Sequence, residues 1–182
     1  MDTENSNAMV KVRSASLDDA DAITEIYSHH VLHGIATFEE IAPDVDDMAG
    51  RMSKVIERGL PWLVAEKDGK VLGYAYAGPF HLRSAYRFTV EDSIYLAPSA
   101  FGRGVGSLLL AELIERCRKA GMIQMMAVIG DSQNMGSISL HRKFGFSDMG
   151  IARNIGFKFG KWVDVVYMQL ELQSPGIVAQ VT

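Results

Sequence analysis

The chain has 182 residues, 48% of them apolar and 22% charged, which fits one globular domain and excludes a long disordered protein, a collagen and a disulfide-stapled miniprotein. A net charge of −4 without a basic stripe excludes a general nucleic-acid binder, and no apolar run is long enough to cross a bilayer. The single cysteine, Cys117, can form no disulfide within the chain, so a cytoplasmic location is expected.

Residues 1–8 are polar, lack the basic and apolar regions of a signal peptide, and read as a leader outside the fold. Val10–Arg13 alternates as a first strand. Ser16 then precedes Asp18 and Asp19, a helix start with a capping hydroxyl and acids at the positive end of the dipole. Ala22, Ile23, Ile26 and Tyr27 follow at helical spacing until Gly34. Pro43 and Asp44 open a second helix with Met48, Met52, Val55 and Ile56 as its apolar stripe, ended by Gly59 and Pro61. Trp62–Glu66 and Val71–Ala77 read as strands joined by the hairpin turn Asp68-Gly69. Gly78-Pro79 punctuates the chain before another strand, Phe88–Leu96.

Ser107–Lys119 places Leu109, Leu110, Leu113, Ile114 and Cys117 on one helical face, with Gly121 at the expected cap. Ile123–Ile129 is a buried strand, Met135–Phe144 a helix stopped by Gly145, and Phe146–Phe157 with Trp162–Leu172 a closing hairpin. The expectation is one mixed α/β domain over residues 9–172, with 173–182 as a peripheral tail.

The turn Leu96-Ala97-Pro98-Ser99-Ala100-Phe101-Gly102-Arg103-Gly104-Val105-Gly106 joins a strand to a helix. Its glycines let the backbone approach a ligand, and the N–H groups of the following helix favour an anion such as a pyrophosphate. No Gly-Lys-Ser/Thr follows, so it is not a Walker loop, and Ser107 stands where a Rossmann fingerprint needs its third glycine. From the glycines alone, a turn that needs them only for its dihedrals is an equal reading.

Gly104-Val105-Gly106, set between an apolar strand and a long amphipathic helix, resembles the acyl-CoA pyrophosphate signature of the GNAT superfamily of N-acetyltransferases. Asn134, Ser137, Leu140 and His141 before Phe144-Gly145-Phe146 fit the second landmark of that superfamily. Pro61–Glu66, Tyr76–Phe80, Ala85-Tyr86, Thr89-Val90-Glu91 and above all Gly156–Val165 look like the phosphinothricin and methionine-sulfoximine acetyltransferases within it. One departure stands out: Phe101 occupies the position where the signature usually has Arg or Gln.

The resemblance implies a GNAT fold, with a mixed, mostly antiparallel sheet flanked by helices. It also implies acetyl-CoA as acyl donor, no metal, and a homodimer. Backbone groups of Gly102, Arg103, Gly104, Val105, Gly106 and Ser107 are implied to hold the pyrophosphate, and those of Ile94, Tyr95 and Leu96 the pantetheine arm. Asn134 and Ser137 are implied to bind the cofactor, although Asn134 also suits a helix cap.

Acetyl transfer needs a neutral amine, a base and an acid for the leaving thiolate. Glu91, an acid in an apolar β-rich run, is the base candidate, against the plain alternative of a solvent-facing strand residue. Asp92 points to the other face unless a bulge intervenes. His141 either protonates the thiolate or packs. Arg83 and Tyr86, with Phe38 as a wall, are the implied acceptor clamp for a carboxylate-bearing amine; a solvated loop charge is the alternative for Arg83. Lys158 and Trp162 shape the pocket or a dimer contact. His29 and His33 have zinc-compatible spacing, but no companion Glu or Cys pair makes them a metal site, and an ordinary helix surface is expected. The expected reaction is acetylation of the α-amino group of a small amino acid or analogue. The rivals are another amine (polyamine, aminoglycoside, protein N-terminus) and a non-catalytic CoA-binding sensor.

Overall fold

A computed structural model describes residues 9–174. The leader assigned to residues 1–8 and the tail beyond 174 lie outside those residues. Seven strands form one sheet in the order β1-β2-β3-β4-β5-β7-β6. The strands are β1 (Lys11–Ser14), β2 (Trp62–Lys67), β3 (Lys70–Pro79), β4 (Thr89–Leu96), β5 (Gln124–Gly130), β6 (Ser147–Lys158) and β7 (Lys161–Glu171). Four α-helices accompany them: α1 (Ala20–His33), α2 (Val45–Ile56), α3 (Val105–Lys119) and α4 (Met135–Lys143). Only β4 and β5 run parallel; every other neighbouring pair is antiparallel.

Local chemistry explains these elements. Asp68 and Gly69 both have positive φ (52° and 74°), the conformation that turns β2 tightly into β3. The Asp44 carboxylate accepts the Asp47 N–H at 2.8 Å and starts α2, a cap worth about 1 kcal/mol. Met48, Met52 and Val55 of α2 are buried, but Ile56 is exposed, so the apolar stripe is one residue shorter than expected. Ser16 is the N-cap of the short turn that leads into α1. Its backbone N–H donates to the Asp19 carboxylate at 2.8 Å, and Arg13 grips the same carboxylate with two bonds of 2.8 Å. Ser16 thus caps the turn as expected, and the Arg13–Asp19 ion pair reinforces the capping box.

The helices cover opposite faces of the sheet. On β4, Tyr95 meets Tyr27 of α1 edge-on at 4.9 Å, while its neighbour Leu96 lies beside Gly106 of α3. Alternate side chains of a strand face opposite sides, so α1 and α3 sandwich the sheet. Leu109, Leu110 and Leu113 of α3 are fully buried. Truncating one of them to Ala costs about 2–5 kcal/mol. The other face carries an aromatic layer, with Trp62 stacked on Tyr76 at 4.1 Å and Tyr74 beside Tyr95 at 5.4 Å.

The feature that positions the site is a parting of strands. β4 and β5 pair only from Thr89↔Gln124 to Asp92↔Ala127, and no pairs join them beyond. The four residues Ser93 to Leu96 thus keep β3 on one side and leave their other edge free.

Candidate active site

A cavity of about 680 Å³ opens where β4 and β5 part. Its walls are the free edge of β4 (Asp92–Leu96), the end of β5 (Ala127–Gly130), the turn into α3 and the first turns of α4. The sequence-predicted cofactor residues Ile94, Tyr95, Leu96, Gly102, Gly104, Val105, Gly106, Ser107, Asn134 and Ser137 all line it, as does His141. Arg103, Glu91, Phe38, Arg83 and Tyr86 do not.

At the α3 end, Gly102 and Gly104 adopt φ of 70° and 79°, so their dihedrals alone call for glycine. A side chain at Gly106 would press on Leu140 at 3.3 Å, so here the requirement is close helix packing. Among the described residues, no backbone carbonyl accepts the N–H groups of Gly102 to Gly106, which remain available to an anion. Ser107 differs from expectation: its N–H is spent on the Gly104 carbonyl at 3.0 Å, so its contribution is its hydroxyl, which Lys143 Nζ approaches at 3.3 Å. Asn134 does what its alternative reading required, its Oδ1 accepting the Ser137 N–H at 3.2 Å as the α4 cap.

Where β4 meets α4 on the cavity wall lie Asp92 and His141, both buried. His141 Nε2 is 3.0 Å from Asp92 Oδ2, and Nδ1 is 2.8 Å from the Ser137 carbonyl. Burial works to lower the His141 pKa, but the Asp92 hydrogen bond and charge outweigh it, and the net direction is upward. Asp92 Oδ1 is buried with no protein partner.

Glu91 stands immediately before this cavity. The β3–β4 register from Gly73↔Leu96 to Pro79↔Val90 is unbroken, with no bulge, so Glu91 and Asp92 face opposite sides of the sheet as a regular strand requires. Burial, and secondarily the Asp92 charge, push the Glu91 carboxyl up to about 7. A carboxylate tuned to that range is a competent proton acceptor at neutral pH.

Arg83 and Tyr86 belong to a separate, smaller cavity of about 330 Å³, lined also by Arg58, Leu60, Thr89, Val90 and Met122. Glu91 therefore lies between the two cavities along β4. Phe38 is half-exposed, on the α1–α2 connection, and its ring sits where a side chain at Gly156 would collide with it. Lys158 is buried, its Nζ donating to the Thr37 carbonyl at 2.8 Å. It thus ties that connection to β6, while Trp162 is 65% exposed.

Three cavity residues escaped the sequence reading. Asp92 was considered only for its direction, and Lys143 not at all. The third, His30, lines the cavity and donates Nε2–H to the Leu96 carbonyl at 2.8 Å. The rings of His29 and His33 lie 5.0 Å apart on the helix surface, and no metal-binding cluster occurs among the described residues. The signal for His30 was its place on the α1 face shared with Ile23, Ile26 and Tyr27, four residues before Gly34.

Comparison with known proteins agrees with this arrangement. Residues 23–146 match the Acetyltransferase (GNAT) family. The phosphinothricin N-acetyltransferase of Alcaligenes faecalis is 53% identical over 163 residues, 90% of this chain and 83% of that protein. The L-methionine sulfoximine/L-methionine sulfone acetyltransferase of Salmonella typhimurium is 40% identical over 161 residues, 88% of this chain and 94% of that one. An acetyltransferase structure from Salmonella typhimurium, solved with its cofactor acetyl-CoA, superposes with a TM-score of 0.90 at 39% identity, covering 92% and 96% of the two chains. With the parted strands, the glycine turn and the matched segment in agreement, the chain belongs to the GNAT family of acetyltransferases.

Proposed function

We propose that this protein transfers the acetyl group of acetyl-CoA to the α-amino group of a small amino acid or analogue of the phosphinothricin, methionine sulfoximine or methionine sulfone type. The observation that carries this reading is the cavity between β4 and β5, lined both by the free N–H groups of the Gly102–Gly106 turn and by a buried acid–base pair. Acetyl-CoA supplies an activated acyl thioester. The free N–H groups and Lys143 complement its phosphates, and the free edge of Ile94, Tyr95 and Leu96 complements an extended amide-bearing arm.

Glu91 accepts the proton that the amine sheds as it attacks, directly or through one water. The reaction proceeds within a ternary complex; Cys117 is buried, with its thiol pushed up to about 12 by burial and by Asp92, and offers no nucleophile. His141 provides the proton for the departing thiolate. The second cavity supports the acceptor assignment, since Arg83 with Tyr86 suits a carboxylate and lies one strand segment away from Glu91. Phe38 forms a further wall of the acceptor site. Met149, Ile151, Ile155, Phe157 and Trp162 leave an exposed apolar surface on the β6–β7 hairpin, which supports a homodimer. The cytoplasm, where acetyl-CoA is available, is the proposed location.

The test is thiol release from acetyl-CoA with phosphinothricin, methionine sulfoximine, methionine sulfone, the common amino acids, spermidine and an aminoglycoside as acceptors. Turnover of the amino-acid group that collapses in Arg83→Ala supports the reading. Turnover of cationic amines alone overturns the acceptor assignment and leaves the acyl donor standing.

A further inference from the structure

The pairing of Asp92 with His141 joins β4 to α4 across 49 positions of sequence. Both ring nitrogens of His141 face oxygens. The Ser137 carbonyl can only accept, so Nδ1 carries a proton. Nε2 faces a carboxylate oxygen at 3.0 Å, which also accepts when ionised. Two acceptors around one imidazole call for two ring protons. The pair is dry, with side-chain exposures of 4% for His141 and 2% for Asp92. A lone imidazolium in that place would be expelled as the neutral ring, whereas beside a carboxylate its charge is cancelled.

We propose that Asp92 is the positioning residue for His141, holding it as a doubly protonated ring on the cavity wall so that the pair carries the proton for the departing thiolate. This rests on the acetyl-transfer reading of the same site. In the step, the amine nitrogen forms a bond to the acyl carbon and its proton goes to Glu91. The C–S bond breaks with its electron pair on sulfur; the Nε2 proton of His141 leaves its hydrogen bond with Asp92 and passes to that sulfur through a water in the cavity. The pair is left with a single negative charge and regains its proton from solvent.

The surrounding groups are compatible with this role. From α3, Cys117 faces Asp92 with a thiol too weakly acidic to compete for the proton. On β4, Glu91 lies on the other side of the sheet. From β5, Ala127 is apolar, and the Phe146 ring closes on His141 edge-on at 4.9 Å. On α4, Arg142 is engaged by Asp148, and Lys143, two residues after His141, reaches toward Ser107. Asp92 is thus the one carboxylate bonded to the ring. Its second oxygen, Oδ1, has no protein partner and can take a water or an amide N–H from whatever fills the cavity.

The experiment records the ¹⁵N signals of the His141 ring across pH in the wild type and in Asp92→Asn. In parallel, the pH profile of kcat for thiol release is measured in both and in His141→Gln. The expected wild-type ring is doubly protonated through neutrality. In Asp92→Asn, Nε2 loses its proton below pH 7 and the high-pH limb of kcat moves down by about one unit. At pH 8, kcat then falls about tenfold and recovers at pH 6, with KM for acetyl-CoA within about twofold. A wild-type ring with one proton at neutral pH overturns the proposal without any variant, as does a ring in Asp92→Asn that titrates like the wild type. If the ring responds but kcat of Asp92→Asn and His141→Gln stays at the wild-type level, the thiolate does not use this proton, and the acid role of His141 falls with the proposal. The ring measurement needs no turnover, so it decides Asp92's hold on the proton even where acetyl transfer itself is not observed.

Discussion

Two walls of the large cavity are built by different means. At the α3 end, Gly102 to Gly106 offer backbone N–H groups, and the turn's glycines are fixed by positive φ or by the close approach of Leu140. Where β4 meets α4, two buried side chains from separate elements form the polar wall. Backbone recognition tolerates changes of side chain as long as the main chain keeps its path. Side-chain chemistry in a dry site tolerates almost none, because each removed partner leaves a buried polar group unpaired. The difference also explains how Phe101 can stand where the family signature usually has Arg or Gln: in this turn the donors are main-chain groups, and Phe101 is an exposed residue facing His30.

The largest expected effect is at Glu91, next to the side-chain wall. Glu91→Gln lowers kcat by about 10²–10⁴-fold, and the rise of rate through pH 7 disappears, as measured by steady-state thiol release. The same substitution sharpens the comparison through stability. The folded-state pKa of Glu91 is raised from 4.5 to about 7. Between those values the unfolded chain sheds a proton that the native chain keeps, so the wild type loses stability as pH rises across that window. Glu91→Gln therefore melts at a higher temperature than the wild type at pH 8. The gain vanishes near pH 4, which thermal melts at the two pH values check.

Next in size is Arg83→Ala. It raises KM for an amino-acid acceptor about 10–100-fold, the loss of a charge-assisted contact, with KM for acetyl-CoA unchanged. In the backbone wall, Gly106→Val drives a side chain into Leu140 and raises KM for acetyl-CoA several-fold. Arg103→Ala, which removes an exposed charge outside the cavity lining, changes it by no more than about twofold. An equal loss in both variants would break the distinction between main-chain and side-chain recognition. The smallest effect is at the α4 cap. Asn134→Ala removes the bond to the Ser137 N–H and lowers stability by about 1 kcal/mol in denaturant melts, with the cavity preserved.

The same division governs what the sequence makes legible. The order and type of the strands and α-helices follow from periodicity and turn residues, because those signals are local: Asp68-Gly69, Gly121 and Gly145 all adopt the positive φ that their turns need. The glycine turn was readable for the same reason. Sequence signals ran out where the partner is distant. Ser16 caps its segment as its sequence suggests, but the Arg13 grip on Asp19 carries no local sign. Ser107 looked like a free N–H donor until the left-handed Gly104 brought its own carbonyl round to it. Asp92 read only as the wrong-facing neighbour of Glu91, since nothing near it in sequence announces a histidine on α4. Lys158 carries no local sign of burial; its partner, the Thr37 carbonyl, lies on another segment. Arg83 and Tyr86 stand out in the sequence only by resemblance, and the small cavity that they line appears once β3 and β4 are placed.

The central claim is that Glu91, between the two cavities along β4, takes the amine's proton during acetyl transfer. The most direct test is the pH dependence of thiol release from acetyl-CoA with phosphinothricin, in the wild type and in Glu91→Gln. The account predicts a wild-type rate that climbs through a midpoint of about 7, and a variant slower by at least about a hundredfold with that climb gone. An unchanged profile in Glu91→Gln, or no turnover of any primary amine by the wild type, contradicts it.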